Sequence, residues 1–316
     1  MAKLTGTYVT TEAKGIREDL TDMIYQISPT KTPFLSMIGR TKASNTLHEW
    51  QEDALATPDL NNNRPEGNEA AFTSPAPTVR LGNYVQISDK TAIVSGTLEA
   101  VDKAGRKSEM SKQLAKRSAE LKRDMEAIAL SNQPASGSDP RKTAGLPAWL
   151  KTNDVFGAGG ASPVYTTLPN AARTDGTQAP FTEAMLKSAI SLGWDEGAEP
   201  NVILAGSFNK SAFSAFLGIA DQVYNLNAAK PGTIVASADV YVSNFGTLRV
   251  VPSRFQRARD VFLIDPEYMS IMYLRPFSTK PLAKTGDAEK RLINVEWGLK
   301  VHTEKAHAAV YDLTTA

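Results

Sequence analysis

The chain has 316 residues, 41% hydrophobic and 22% charged, with 35 basic against 34 acidic side chains and a net charge of +1. This is enough apolar material for one large domain or two ordinary ones, without the basic excess on which dedicated nucleic-acid binders rely. The absence of cysteine excludes disulfides, cysteine-ligated zinc, iron–sulfur clusters and thiol nucleophiles, and no stretch reaches the roughly 18 consecutive apolar residues of a membrane span.

The opening MAKLTGTYVTTEAKG lacks the apolar core of a secretory signal, so a product made and folded in a reducing cytoplasm is expected. Residues 18–27 carry Leu20, Ile24 and Ile27 at helical spacing. The run Ser28-Pro29-Thr30-Lys31-Thr32-Pro33 breaks that helix, because each proline biases its predecessor away from the α region. Phe34, Leu35, Met37 and Ile38 then form a small apolar anchor, expected either to fix an arm onto a neighbouring copy or to pack on the chain's own domain. Residues 47–52 read as a strand, and 79–87 as a second, with Val79, Leu81, Val85 and Ile87 on one face. Between them, 53–77 are rich in Pro, Asn, Gly and Ala. Loops longer than about 15 residues are uncommon in compact domains unless functional, so this one is read as a projecting hairpin. Residues 106–132 give the clearest helix, with Met110, Leu114, Leu121, Met125 and Ile128 recurring at spacings of three, four and seven. At about 1.5 Å per residue it spans ~40 Å, a strut rather than an ordinary packing helix.

Residues 136–180 look loop-rich, with Gly157 to Gly160 a flexible connector. An α/β pattern follows: helix 182–194 capped by Thr182, strand 201–205, helix 209–217, exposed loop 219–238, and apolar strands at 240–242, 248–251 and 261–264. Residues 269–274 run into a polar loop holding Lys284-Thr285-Gly286-Asp287. Ile293, Val295, Trp297, Leu299 and Val301 then alternate with polar or small residues, the best period-two signal in the chain.

The residues that carry chemistry do not assemble into a known pattern. His302 and His307, read as one strand, point to opposite faces, and with His48 they are taken as ordinary surface or strand residues. Neither Gly157 to Gly160 nor Lys284-Thr285-Gly286-Asp287 follows a buried strand and opens a helix, as a phosphate loop does; the second is a Gly-Asp turn. The acidic pairs Glu52-Asp53 and Asp195-Glu196 lack the further carboxylates of a hard-cation site. Trp50, Trp149, Trp194 and Trp297 are packing residues, not a base-stacking platform. No catalytic, cofactor-binding or metal-binding residue is assigned, and no cofactor. An arm, a projecting hairpin and a strut fit a chain that reaches its neighbours.

Several segments, in order, carry a family resemblance: Thr32-Pro33-Phe34-Leu35, Leu47-His48-Glu49-Trp50-Gln51-Glu52-Asp53, Asn83-Tyr84-Val85-Gln86-Ile87 and Val94-Ser95-Gly96-Thr97. They continue as Glu120-Leu121-Lys122-Arg123-Asp124-Met125-Glu126, Thr143-Ala144-Gly145, Phe245-Gly246, Leu282-Ala283-Lys284-Thr285-Gly286-Asp287-Ala288 and Glu304-Lys305-Ala306-His307-Ala308. Over nearly its whole length the chain resembles the major capsid proteins of short-tailed bacteriophages, with the Hong Kong 97-type fold. The resemblance implies an α+β subunit with an N-terminal arm (1–43), an extended loop or β-hairpin (44–90), a peripheral domain (91–179 and 266–316) with spine helix 106–132, and an axial domain (180–265).

The implied role is structural, not enzymatic. Pentamers and hexamers of the chain would form an icosahedral or prolate virion shell, assembled in the host bacterial cytoplasm around double-stranded DNA that is not bound sequence-specifically. A portal, a separate scaffolding protein and a possible cement protein are the implied partners, with no membrane. Some relatives crosslink through a lysine on the extended loop. No lysine lies between Gln51 and Asp89, so linkage by that route is not expected. The alternatives are an encapsulin-like nanocompartment shell and a cytosolic metal-dependent enzyme.

Overall fold

The periodic segments become three β-sheets and five α-helices in the computed structural model, which describes residues 30–70, 72, 74–103, 105–216 and 240–316. The expected helix 18–27 and loop 219–238 lie outside the described residues.

The chain enters through a short helix α1 (Pro33–Met37), with proline at its first turn. A proline that ends one helix can begin the next, because its missing N–H is one that a first turn leaves unbonded. Strand β1 (Gly39–Lys42) follows, then β2 (Leu47–Glu52) pairs antiparallel with β3 (Val79–Tyr84) as a two-stranded ribbon. The expected strand 79–87 is in fact two. At the fully buried Val85 the chain leaves β2 and β4 (Gln86–Ser95) joins another sheet, so Val79 and Ile87 are exposed rather than inward. The polar residues flanking the switch stabilise it. Asn83, fully buried, donates to the Leu299 carbonyl (2.7 Å) and accepts from Ala144 N–H (2.9 Å). Gln86 accepts from Thr143 N–H (3.1 Å).

Helix α2 (Gly96–Ala100) leads to α3 (Glu109–Ala129), shorter at both ends than expected. Its start is set by the Ser108 side chain, which accepts from Ser111 N–H. Its 21 residues span about 32 Å. Met110, Leu121 and Met125 are buried against the sheet as the periodicity predicted, with Leu114 and Ile128 partly so. That sheet has the order β1, β10 (Met269–Pro281), β11 (Ala288–Val301), β4. The alternating residues of β11 do line one buried face. The other face is buried as well, because Glu296 there is only 3% exposed and takes ion pairs from Arg141 and Arg275. The Gly-Asp turn before β11 is present, with Gly286 at φ 71°.

The remaining strands form a six-stranded mixed sheet: β5 (Asp154–Val155), β12 (Ala308–Val310), β9 (Val261–Ile264), β6 (Val202–Ala205), β8 (Gly246–Pro252), β7 (Val240–Ser243). Helices α4 (Glu183–Asp195) and α5 (Ser207–Ser214) belong to this half. The Thr182 cap is present; α5 begins and ends earlier than the expected 209–217. Strands β6 and β9 are apolar at every position because both faces are covered. Val202, Leu204, Phe262 and Ile264 face the core shared with α3 and Trp149, while Ile203, Ala205, Val261 and Leu263 face the core under α4 and α5. Two of the six strands, β5 and β12, come from outside residues 180–265.

Candidate interaction surfaces

Arg173, Arg257 and Arg259 meet Asp175, Asp260 and Asp312 where the C-terminal segment crosses the loop after β5. Arg173 and Asp312 have no exposed side-chain surface and pair at 3.1 Å; Arg259 reaches the same carboxylate at 2.7 Å. The Arg173 guanidinium also lies 4.0 Å over the Tyr311 ring. Burial alone would raise Asp312, but its bonds to Arg173 and to Gly176 N–H and the nearby Arg259 hold it below the usual carboxylate range. Asp260 is pushed up to about 7 by burial in spite of Arg257 and Arg173. Gly157 to Gly160 is therefore a packed turn rather than a flexible connector: Gly157 N–H donates to Asp312 (3.3 Å), and a side chain at Gly160 would meet that carboxylate at 2.7 Å. Three arginines against three aspartates tie these loops together, but the bonding is uneven: neither carboxylate oxygen of the buried Asp260 has a hydrogen-bond partner, and Arg257 approaches it at 3.4 Å.

A second buried acid, Glu126 on α3, accepts from Phe34 N–H (3.2 Å) and Leu35 N–H (3.1 Å). Burial raises it from 4.5 to about 7 against the pull of those two donors. Phe34 is fully buried in the chain's own core. The segment 32–38 thus anchors on its own subunit, the second of the two alternatives that its sequence leaves open. Sequence reading missed Glu126 because it sits among apolar helix positions without an obvious cation; its place beside Met125 on the buried stripe was the available signal.

The histidines do not come together as a site. A 3₁₀ turn over Glu304–Ala306 separates His302 from His307, so the opposite-face argument fails. His307 is fully buried, accepts at Nδ1 from Asp265 N–H (3.2 Å) and is pushed down to about 3 by burial. His302 lies 3.2 Å from Ser270 Oγ. Glu52 accepts from Thr303, and Glu196 pairs with Lys305 at 2.6 Å. Among the described residues no three His, Asp or Glu side chains are grouped to hold a metal ion. Trp149 and Trp297 are core residues and Trp50 packs on Trp149. Trp194 is instead half exposed, stacked 5.0 Å from Phe245 beside the edge strand β7.

What the molecule presents outward is apolar reach. The described residues between 53 and 78 form no helix or strand, and Leu55, Leu60 and Phe72 in that loop are 99%, 95% and 98% exposed. A long loop with large side chains covered by no other described residue marks an interaction site. Among the described residues β7, with Val240 and Val242 outward, and β1 are edge strands of the same kind.

A ribbon-borne loop, a helix laid along a four-stranded sheet and a second mixed-sheet lobe together define an α+β shell subunit of the Hong Kong 97 type. Solved structures carry the same fold. The chain aligns with a subunit of the cyanophage A-1(L) capsid at TM-score 0.68 and 11% identity, covering 96% of this chain and 98% of that one. It aligns with the capsid of a native GTA particle at TM-score 0.63 and 12% identity, covering 96% and 98%. A chain of the holo-SrpI encapsulin complex from Synechococcus elongatus aligns at TM-score 0.56 and 11% identity, covering 95% and 93%; this shows a shared fold only. The chain belongs to the SU10 major capsid protein family, whose sequence profile matches residues 3–314. It is also 26% identical over 341 aligned positions to the major capsid protein of Escherichia phage Phieco32, covering 96% of each. It is a tailed-phage major capsid protein, a structural component of the virion shell.

Proposed function

We infer that the chain builds its shell from pentamers and hexamers, arranged as an icosahedral or prolate head that encloses double-stranded DNA. Its contribution is mechanical and not catalytic. A separate scaffolding protein and a portal assist assembly, and a cement protein is a further candidate partner. In this reading residues 1–43 are the arm, 44–90 the extended loop, 91–179 with 266–316 the peripheral domain, and 180–265 the axial domain. Strands β5 and β12 complete the axial sheet from outside that range.

The observation that carries the reading is the loop itself. Leaving three large apolar side chains in water is unfavourable by about 1.5–3 kcal/mol each relative to burial, and a neighbouring copy in a shell supplies the missing cover. A nearly neutral subunit suits a container that need not grip its contents.

Deleting residues 57–75 tests it. The β2–β3 ribbon remains, so the subunit is expected to fold with wild-type secondary structure yet give no closed shells by negative-stain electron microscopy and light scattering. Normal particles from the deletion variant would refute the role of the loop.

A further inference from the structure

We propose that the depression where β1, β10 and β11 meet the 3₁₀ turn over Pro266–Tyr268 binds a phosphate group, held by Arg40, Ser270, Lys300 and His302. The site lies apart from the extended loop and does not depend on how that loop is read.

Strand register builds it. Gly39 of β1, Ser270 of β10 and Lys300 of β11 stand side by side in one row across the sheet, and side chains in such a row point to the same face. Gly39 is exposed and carries no side chain, so the row opens at its edge into a depression of about 480 Å³, with Arg40, Ser270, Lys300 and His302 in its wall. His302 Nε2 lies 3.2 Å from Ser270 Oγ, and the His302 carbonyl is fixed by the Trp50 indole N–H (3.1 Å). When the imidazole is charged both ring nitrogens donate. Nε2–H then takes the serine oxygen and frees the serine O–H for an anion.

The positive charge here is uncompensated. Arg40 and Lys300 take part in no ion pair among the described residues; Lys300 lies 5.3 Å over the Trp50 ring instead. The acid in the wall, Glu267, is exposed and makes no ion pair among the described residues. Glu52, on the neighbouring ribbon, is engaged by Thr303. Burial, and then the Lys300 charge, holds both His302 and His48 below the usual imidazole range, with no carboxylate pulling them back. An oxyanion bound beside Lys300 relieves that repulsion. Four donors on different sides of one depression suit the several acceptor oxygens of a phosphate better than the two of a carboxylate. The depression beside β7 offers no such excess, because Glu183 and Lys187 there pair at 2.9 Å.

Free phosphate and the backbone of enclosed DNA present the same oxygens, and the test separates them. The chain has three histidines, so their ring C–H signals can be followed by NMR in the full-length unassembled subunit. Inorganic phosphate, against chloride at equal ionic strength, is expected to shift the His302 signal saturably and to raise its titration midpoint by about one pH unit. Gly39→Leu fills the depression without touching a charge, and Lys300→Met keeps the stem over Trp50. Each should weaken phosphate binding by about ten-fold or more. A Cβ at Gly39 meets the Met269 carbonyl at 3.5 Å and Ser270 Cβ at 3.6 Å, ordinary contacts, so Gly39→Leu is expected to keep the wild-type unfolding midpoint. A short DNA duplex that gives the same shift and competes with phosphate identifies the backbone as the source; a response to inorganic phosphate alone identifies the free ion. No saturable shift with either, an equal shift with chloride, unchanged binding in both variants, or a stronger response to polyglutamate than to phosphate overturns the proposal.

Discussion

Replacing Arg173 by leucine removes the cation from the most deeply buried ion pair in the described structure, where neither Arg173 nor Asp312 has exposed side-chain surface. Breaking one side of a fully buried pair typically costs about 3–5 kcal/mol, because the remaining charge is left without compensation. Here Arg259 still reaches Asp312 at 2.7 Å, which argues for the lower end, about 3 kcal/mol. The lost stacking of the guanidinium on Tyr311, 4.0 Å away, adds to the loss, so the expected total is about 3–4 kcal/mol. Unassembled subunits of wild type and Arg173→Leu would be unfolded in urea, which converts midpoint and slope into a free-energy difference. The pH dependence supplies the internal check. The folded-state pKa of Asp312 is depressed in the wild type, so its contribution is present above the unfolded value of about 3.9 and is lost as pH falls through the lower folded value. The gap between wild type and variant should therefore be full at neutral pH and narrow below about pH 4. A loss under about 1 kcal/mol, or a gap that does not change with pH, would show that the cluster is screened and not a buried tie.

Two further outcomes follow from the packing. Glu126 is raised from 4.5 to about 7, so the folded state holds its proton more tightly; the Glu126 contribution to stability should decline as pH rises across that window and level off above it, by up to about 3 kcal/mol, while Asp260, also raised, adds to the decline and His307, pushed down, opposes it below about pH 6.5. Glu126→Gln, which keeps one acceptor for the arm but cannot ionise, should flatten that decline between pH 5 and 7.5 in urea titrations, and an unchanged slope would sink the idea. A side chain at Gly176 would lie 2.6 Å from Gly160 N and 2.9 Å from Asp312 Oδ2. Gly176→Ala is expected to cost about 1–3 kcal/mol by overpacking, read as a lowered thermal midpoint, whereas a neutral result would mean the turn can open.

Local pattern was enough for much of the architecture. The stripe from Met110 to Ile128 announced α3, the alternation from Ile293 to Val301 announced β11, and Thr182 announced the start of α4. Each signal lies within a few turns of chain and reports only which faces are apolar. The long polar stretch between two strands likewise marked the loop, because its composition cannot build a core of its own.

Positions that depend on distant chain were not legible. Val85 reads as mid-strand, yet the backbone there changes partner from β2 to β11, and nothing local encodes which sheet a strand joins. Gly157 to Gly160 reads as a connector and is locked by Asp312, roughly half the chain away. The buried carboxylates of Glu126 and Glu296 look like surface residues until Phe34 and Arg141 are brought to them.

By itself the sequence determined the order and type of the main elements, the absence of thiol chemistry, the nearly neutral charge and the family, since these reside in composition, periodicity and ordered motifs. Only the tertiary structure decided which strands share a sheet, where residues 32–38 anchor and which charges are paired. These outcomes are set by contacts between residues far apart in the chain, whose energies appear only when burial removes water from both partners.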